Sequence, residues 1–321
     1  MKTIQYKRYG TPEVLDMEEV QKPFPIDDEI LVKVKVTTVT PVDCTFRGGK
    51  SKAARLFTGL RKPKNPILGS EFSGVVEAVG EKVTSFEKGD HVFGGAEGTY
   101  AEYLTVKEDG VIAEIPTDLS FKEASAIPYG VLTALPFLRD TGSIKAGDKV
   151  LVNGASGSVG SFGVQLAKYF DAEVTGVCST ANVEMVKSLG ADRVFDYTKE
   201  DFTKSGETWD IIFDAVGKSS FSKSKIVLTE NGIYLTTVMS ATIQFDMFRT
   251  VFTSKKAKLS LTGLRKPKEM RKDLYFAKKL MEEGKIKAFI DREFSFDEIP
   301  EAHSYVEGGH KTGNVIINVN Q

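Results

Sequence analysis

The chain has 321 residues, ample for two domains, and its 41% hydrophobic content is ordinary for a globular protein. A formal net charge of −1, with both signs interspersed, leaves no field for non-specific capture of nucleic acid or of an anionic membrane, and no apolar run is long enough to span a bilayer. Two cysteines, Cys44 and Cys178, exclude a disulfide scaffold, and the opening Met-Lys-Thr-Ile-Gln-Tyr holds no hydrophobic signal core, so cytoplasmic residence is the expectation.

From Met1 to about Ile115 the pattern is one of short strands and turns. Residues 29–36 alternate in period two, residues 74–80 form a strand between glycines, and residues 101–106 another. A β-rich, barrel-like domain is predicted. From Phe121 the spacing turns helical, through Ala124, Ala126 and Leu132 to Phe137. An apolar run then ends in a small-residue turn, Val150-Leu-Val-Asn-Gly-Ala-Ser-Gly-Ser-Val-Gly160, which opens into helical spacing at Val159, Phe162, Leu166 and Phe170. That is the start of a dinucleotide-binding βαβ unit. Small residues let the backbone turn tightly and approach a pyrophosphate, whose charge meets free N–H groups and the positive end of a helix dipole. Gly157 and Gly160 are read as supplying the approach; Ala155 stands where the first glycine of G-x-G-x-x-G belongs, and Gly154 lies one place early.

A second strand follows at residues 173–178, and others at 193–195, 210–214, 232–237 and 257–261, with helical segments between most of them. Six strands alternating with helices describe a doubly wound parallel sheet. Residues 267–285 read as a long helix, and residues 293–296 and 314–319 return to strand character, expected to rejoin the first domain. The α/β architecture predicted is therefore a β-rich domain, 1–122 together with 286–321, with a dinucleotide-binding domain, 123–285, inserted in it. Thr-Gly-Leu-Arg-Lys-Pro-Lys occurs at residues 58–64 and again at 262–268, either as two solvated breakers or as cations, Arg61 and Arg265 among them, for an anionic ligand. Met239, Ile243, Phe245, Met247, Phe248, Val251 and Phe252 make either a helix packed on the sheet or a cover for flat, apolar substrates.

These residues are recognisable as a set. Gly147-Asp-Lys-Val-Leu-Val-Asn-Gly-Ala-Ser-Gly-Ser-Val-Gly160, Leu189-Gly-Ala-Asp192, Asp214-Ala-Val-Gly217 and Gly313-Asn-Val-Ile316 resemble the medium-chain dehydrogenase/reductase superfamily. So do Pro41-Val-Asp43, Gly69-Ser-Glu-Phe-Ser-Gly74, Gly89-Asp-His-Val-Phe-Gly94 and Gly98-Thr-Tyr-Ala-Glu102. Within it the chain looks like the zinc-independent quinone oxidoreductase branch. The resemblance implies a GroES-like catalytic domain with an inserted Rossmann domain, and NADPH-dependent reduction of quinones or of the double bond of α,β-unsaturated carbonyls. It puts Thr40, Ser70 and Tyr129 at the places where zinc relatives hold catalytic metal, and none of the three is a usual zinc ligand. His91, His303 and His310 are scattered and read as turn or surface residues, so no metal is expected.

The cofactor set implied is Ser156, Gly157, Ser158, Val159 and Gly160 at the pyrophosphate, and Val216, Gly217 and Thr237 near the nicotinamide ribose, with Gly313 and Asn314. At the adenine ribose Ser179, Asn182 and Tyr197 are implied. The sequence after the second strand, Cys178-Ser-Thr-Ala-Asn182, carries no acid, which favours NADPH, although Asn182 replaces the lysine of relatives. Thr40, Thr45, Arg47 and Tyr129 are the implied catalytic residues, and Glu71 stands where the superfamily keeps an acid near the catalytic centre. The implied substrate is a small quinone or enone, with a homodimer as the assembly. Two rivals are carried: an enoyl-thioester reductase, for which Lys50, Lys52, Arg55, Arg61, Lys62 and Lys64 would meet a carrier's phosphate, and a cofactor-binding protein with negligible turnover.

Overall fold

The computed structural model describes residues 1–50, 55–56 and 58–319; Lys52 lies outside them. Two compact units are distinguished, residues 1–129 with 266–282 and 288–321, and residues 130–265 with 283–287.

The first unit is built on β3 (Glu29–Val39), an 11-residue strand whose even-numbered side chains are buried along most of its length. It pairs antiparallel with β4 (Glu71–Val79), β6 (Tyr103–Lys107) and β15 (Asn314–Asn318), and the sheet continues through β5 (His91–Gly95) and β7 (Ile112–Glu114) on one side and β14 (Ile290–Ser295) on the other. Val32, Val34, Phe72, Val92, Val315 and Ile317 form part of one buried core. A separate hairpin, β1 (Lys2–Tyr6) with β2 (Leu15–Glu19), is antiparallel. Three short helices start at capping boxes or next to one. Thr40 and Asp43 cap α1 (Pro41–Gly48), with Pro41 in its first turn and Gly49 closing it at φ 56. Ser120 and Glu123 cap α2 (Phe121–Ser125), and Ser295 with Glu298 turns the chain into α9 (Ile299–Glu307). The long helix α8 (Pro267–Glu282) also belongs here, burying Leu274, Ala277 and Leu280 at helical spacing. The helix α3 (Pro128–Pro136) starts in this unit and continues into the second.

The second unit is a six-stranded sheet. From one edge to the other it runs β10 (Arg193–Asp196), β9 (Glu173–Cys178), β8 (Lys149–Asn153), β11 (Trp209–Asp214), β12 (Leu228–Thr236) and β13 (Lys256–Lys258). Every neighbouring pair is parallel. Counted within the unit this is the order 3-2-1-4-5-6, the doubly wound order in which ligands bind beyond the carboxyl ends of the strands. The helices α4 (Ser158–Tyr169), α5 (Val183–Ser188), α6 (Phe221–Ser224) and α7 (Ala241–Arg249) fall between its strands. Val150, Leu151 and Val152 are fully buried, the near-continuous apolar run that a parallel strand covered on both faces requires.

The apolar segment 239–252 is resolved by this packing. Ile243 is buried and Met247 packs against the core, so α7 does lie on the sheet, while Phe245, Phe248, Val251 and Phe252 are exposed. His303 is corrected: it is a buried residue of α9 rather than a turn or surface histidine.

Candidate functional site

The turn after β8 is shaped by its own backbone. Gly154 adopts φ 79, and its N–H and that of Ala155 both donate to the Val177 carbonyl at 3.0 Å, which fixes the turn to the end of β9. Gly157 is the N-cap of α4, so the N-cap position itself offers no side-chain acceptor to the first turn. Nor does that turn contain an acid to meet the positive end of a 12-residue helix. The two glycines differ. A Cβ on Gly160 would stand 2.0 Å from the Gly154 carbonyl oxygen, so this glycine lets the helix close on the turn. A Cβ on Gly157 would meet only that oxygen, at 3.5 Å, an ordinary contact. Gly157, not Gly160, is the position whose bareness the internal packing leaves unexplained.

Two loops flank the turn. The Asn182 amide donates to Ser156 Oγ at 3.1 Å and to Ser179 Oγ at 3.3 Å, joining two of the residues assigned to the adenine ribose to one assigned to the pyrophosphate. Tyr197 joins them through the backbone, its N–H donating to the Cys178 carbonyl, and its ring is 60% exposed. On the other side Asp214, fully buried at the end of β11, accepts five hydrogen bonds. They come from Asn153 Nδ2, from the N–H groups of Val216, Gly217 and Ser219, and from the Tyr234 hydroxyl at 2.8 Å. Val216 and Gly217 are therefore held by a carboxylate, and Thr237 is tied to the same loop through the Ala215 carbonyl. Asp214 was legible only as part of a motif; its position at a strand end just before a glycine turn was the available signal.

In the first unit most assigned catalytic side chains are engaged. Thr40 Oγ1 donates to Asp43 Oδ2 at 2.6 Å and accepts from the Asp43 N–H, so its hydroxyl serves the capping box. Thr45 Oγ1 donates to the Pro41 carbonyl one turn back. Arg47 is 1% exposed and pairs with Glu307, while its Nε and Nη1 have no hydrogen-bond partner among the described residues. Glu71 is brought to Tyr129: its carboxylate accepts from the Tyr129 N–H at 2.5 Å and from the Thr38 hydroxyl. Burial pushes Glu71 up to about 8 against those two hydrogen bonds. Burial also raises the Tyr129 phenol, with Asp43 and Glu71 adding to it, and among the described residues no side chain bonds to that hydroxyl. Lys311, whose ammonium donates to the Gly313 carbonyl at 2.5 Å, is pulled down to about 8 by burial, with Asp291 and Glu71 opposing the shift. Gly313 has φ 70, and the Asn314 amide donates to the Phe289 carbonyl at 3.1 Å within the same unit.

These donors do not suit zinc. Thr40, Ser70 and Tyr129 present three hydroxyls, one already committed, where the ion prefers thiolate, imidazole or carboxylate. Among the described residues no group of three His, Cys, Asp or Glu side chains could hold a metal. His303 sits between Cys44 Sγ, at 3.4 Å from Nδ1, and the Tyr100 hydroxyl, at 3.1 Å from Nε2, and burial pushes it down to about 3. It is a neutral core histidine. Of the cations considered for a carrier phosphate, Arg55 is used locally, donating to the Gly49 carbonyl and lying over the Tyr9 ring.

A doubly wound sheet with a glycine turn after its first strand, opening into a helix, defines the class of dinucleotide-binding α/β proteins. Comparison with known proteins narrows the class. Residues 26–117 match the family model described as alcohol dehydrogenase GroES-like domain, and residues 189–317 that described as zinc-binding dehydrogenase. The chain is 36% identical to the 2-methylene-furan-3-one reductase of Solanum lycopersicum, over 99% of its length and 79% of that protein. It is 30% identical to a quinone oxidoreductase of Homo sapiens, over 99% of this chain and 97% of the other. The solved quinone oxidoreductase of Coxiella burnetii superposes with a TM-score of 0.88 at 30% identity, covering 100% of this chain and 99% of that one. The chain belongs to the medium-chain dehydrogenase/reductase superfamily, in its quinone oxidoreductase-like branch.

Proposed function

We propose that the protein is an NADPH-dependent, zinc-independent reductase of quinones or of the carbon–carbon double bond of α,β-unsaturated carbonyls. The observation that carries this reading is the glycine N-cap of α4, whose Cβ position at Gly157 is open, beside a loop that Asp214 holds. The relatives' names favour the substrate class, since a 2-methylene-furan-3-one is itself a conjugated ketone. When bound, a reduced nicotinamide supplies the hydride. The protein binds and orients. N–H groups at the start of α4 receive the pyrophosphate, and Val216, Gly217 and Thr237 frame the nicotinamide ribose. Ser156, Ser179, Asn182 and Tyr197 offer hydroxyl and amide donors to a 2′-phosphate that an acid would repel.

Tyr129 is the donor proposed for the substrate oxygen, because a phenol is protonated at neutral pH and this one bonds to no side chain among the described residues. In a conjugated acceptor the charge arriving with hydride spreads into an enolate or hydroquinone, so a hydrogen bond serves in place of a Lewis acid. The test is NADPH consumption with a quinone and an alkenal, with NADH in parallel and elemental analysis of the active protein. Turnover that falls in Tyr129→Phe supports the reading. A preference for NADH, stoichiometric zinc, or binding without turnover each refutes its corresponding part, and activity confined to an enoyl thioester transfers the assignment to that substrate.

The proposal extends to a homodimer and to the cytosol. Phe248 and Phe252, 76% and 96% exposed, lie on α7 and the turn before the edge strand β13, an apolar surface suited to a second copy. Light scattering is expected to show a dimer that Phe252→Asp dissociates. Both cysteines are buried and unpaired, which fits a reducing compartment such as the cytosol; fractionation of the tagged protein tests it.

A further inference from the structure

In the second unit the loops after β9 and β10 lie side by side, because Asp196, the last residue of β10, is in register with Cys178, the last of β9. The β9 loop, residues 179–182, carries no acid, but the neighbouring strand supplies one. Asp196 is 7% exposed, and its Oδ1 accepts from the Thr198 N–H at 3.0 Å and from the Thr198 hydroxyl at 2.7 Å. Its Oδ2 accepts from the Thr180 hydroxyl at 2.5 Å, and the Lys199 ammonium stands 3.2 Å from that same oxygen. Hydrogen bonds from Thr180 and Thr198 hold the Asp196 carboxyl well below the usual carboxylate range, so at neutral pH it is an anion. A phosphate arriving beside the β9 loop therefore meets a fixed negative charge unless a cation stands between them.

Lys199 is that cation. Residues 179–182 and 197–200 contain no other Lys, Arg or His. Because Lys199 and Thr180 share one carboxylate oxygen, the ammonium is held next to the β9 loop although it belongs to the turn after β10. Its side chain is 67% exposed, and an ion pair so open to water is weak beside a charge-assisted bond to a phosphate. Releasing Asp196 costs little, since Thr180 and Thr198 continue to satisfy the carboxylate. We propose that Lys199 determines cofactor choice in this chain: it screens Asp196 and gives the 2′-phosphate of NADPH the positive charge that Asn182 cannot. The inference rests on the nucleotide reading and adds to it the one charge that Ser156, Ser179, Asn182 and Tyr197 all lack.

The test is equilibrium binding to the full chain, without substrate, of NADPH, NADH, adenosine 2′-phosphate and adenosine 5′-phosphate. Lys199→Met is expected to weaken NADPH and adenosine 2′-phosphate by about tenfold or more, the size of one lost charge-assisted hydrogen bond, and to leave NADH and adenosine 5′-phosphate within about twofold of the parent. Lys199→Arg, which keeps the charge, should retain most of the NADPH affinity. Lys204→Met removes a nearby charge that pairs with Asp201 instead, and should change none of the four. The inference is overturned by undiminished NADPH binding in Lys199→Met, by an equal loss of NADH, which marks a merely structural role, or by an equal loss of NADPH in Lys204→Met, which marks a general charge effect. A parent that binds neither NADPH nor NADH removes the nucleotide reading and this inference together, whereas a parent that binds NADPH no better than Lys199→Met does removes this inference alone.

Discussion

Alanine substitutions at two glycines of one turn, Gly157 and Gly160, should behave in opposite ways. In Gly160→Ala the new methyl carbon lands 2.0 Å from a backbone oxygen that cannot swing aside, so the helix or the turn must shift. Overpacking of this kind costs about 1–3 kcal/mol, and in units of this size each kcal/mol lowers Tm by about 2–4 °C. In Gly157→Ala the methyl makes only a 3.5 Å contact, and the residue already has φ −79, so the folded structure accepts it. Its stability should stay within about 0.5 kcal/mol of the parent or rise slightly, because alanine restricts the unfolded chain. Yet that methyl projects where a pyrophosphate would meet the N–H groups of α4. Losing one or two hydrogen bonds to a charged group, at about 1.5–3 kcal/mol each, weakens NADPH by roughly tenfold to a hundredfold or more. Urea denaturation and fluorescence titration with NADPH read both quantities. Unchanged NADPH affinity in Gly157→Ala, or a loss of stability equal to that of Gly160→Ala, would refute the division of labour.

Further outcomes follow from the buried charges. The folded chain holds the Glu71 proton up to about 8, whereas the unfolded chain releases it near 4.5, so over that window the folded state binds more protons and this residue lowers stability as pH rises. Glu71→Gln, which keeps an acceptor for Tyr129 N–H and a donor toward Thr38, should remove a slope of up to about 1.4 kcal/mol per pH unit; denaturation at several pH values between 5 and 8 checks it, and identical slopes count against the shift. Glu307→Gln should destabilise by about 3–5 kcal/mol because it strands a guanidinium that is 1% exposed, while Arg47→Met, which removes the charge itself, should cost less. Asp214→Asn turns an N–H₂ toward the Ser219 N–H and the Tyr234 hydroxyl; a loss of about 2–4 kcal/mol and weakened NADPH binding are expected, by calorimetry and titration.

The parallel, doubly wound sheet was legible, though not its strand order, because parallel strands covered on both faces read as apolar runs at one βα interval, as Val150, Leu151 and Val152 do. Short elements were not. The helices α1 and α9 span 8 and 9 residues, too few for periodicity to declare itself, and were signalled only by caps, Thr40 with Asp43 and Ser295 with Glu298. The strand at residues 257–261 shrinks to Lys256–Lys258, since an edge strand needs pairing on only one side. At the site, residue identity carried the glycine turn and the absence of an acid after Cys178. It could not assign jobs to hydroxyls: Thr40 and Thr45 turn out to bond to their own helix, and Arg47 to be enclosed.

The pairing of β15 with β3 bears on how the chain acquires its shape during synthesis. A ribosome delivers every strand of the nucleotide-binding sheet, residues 149–258, before it delivers Asn314–Asn318. The amino-terminal sheet, although translated first, must wait with residues 36–39 of its longest strand unpaired on the side opposite β4 until that last strand arrives. The order of completion thus runs against the order of translation, and the waiting edge of β3 is where a nascent chain of this protein is most exposed to mispairing.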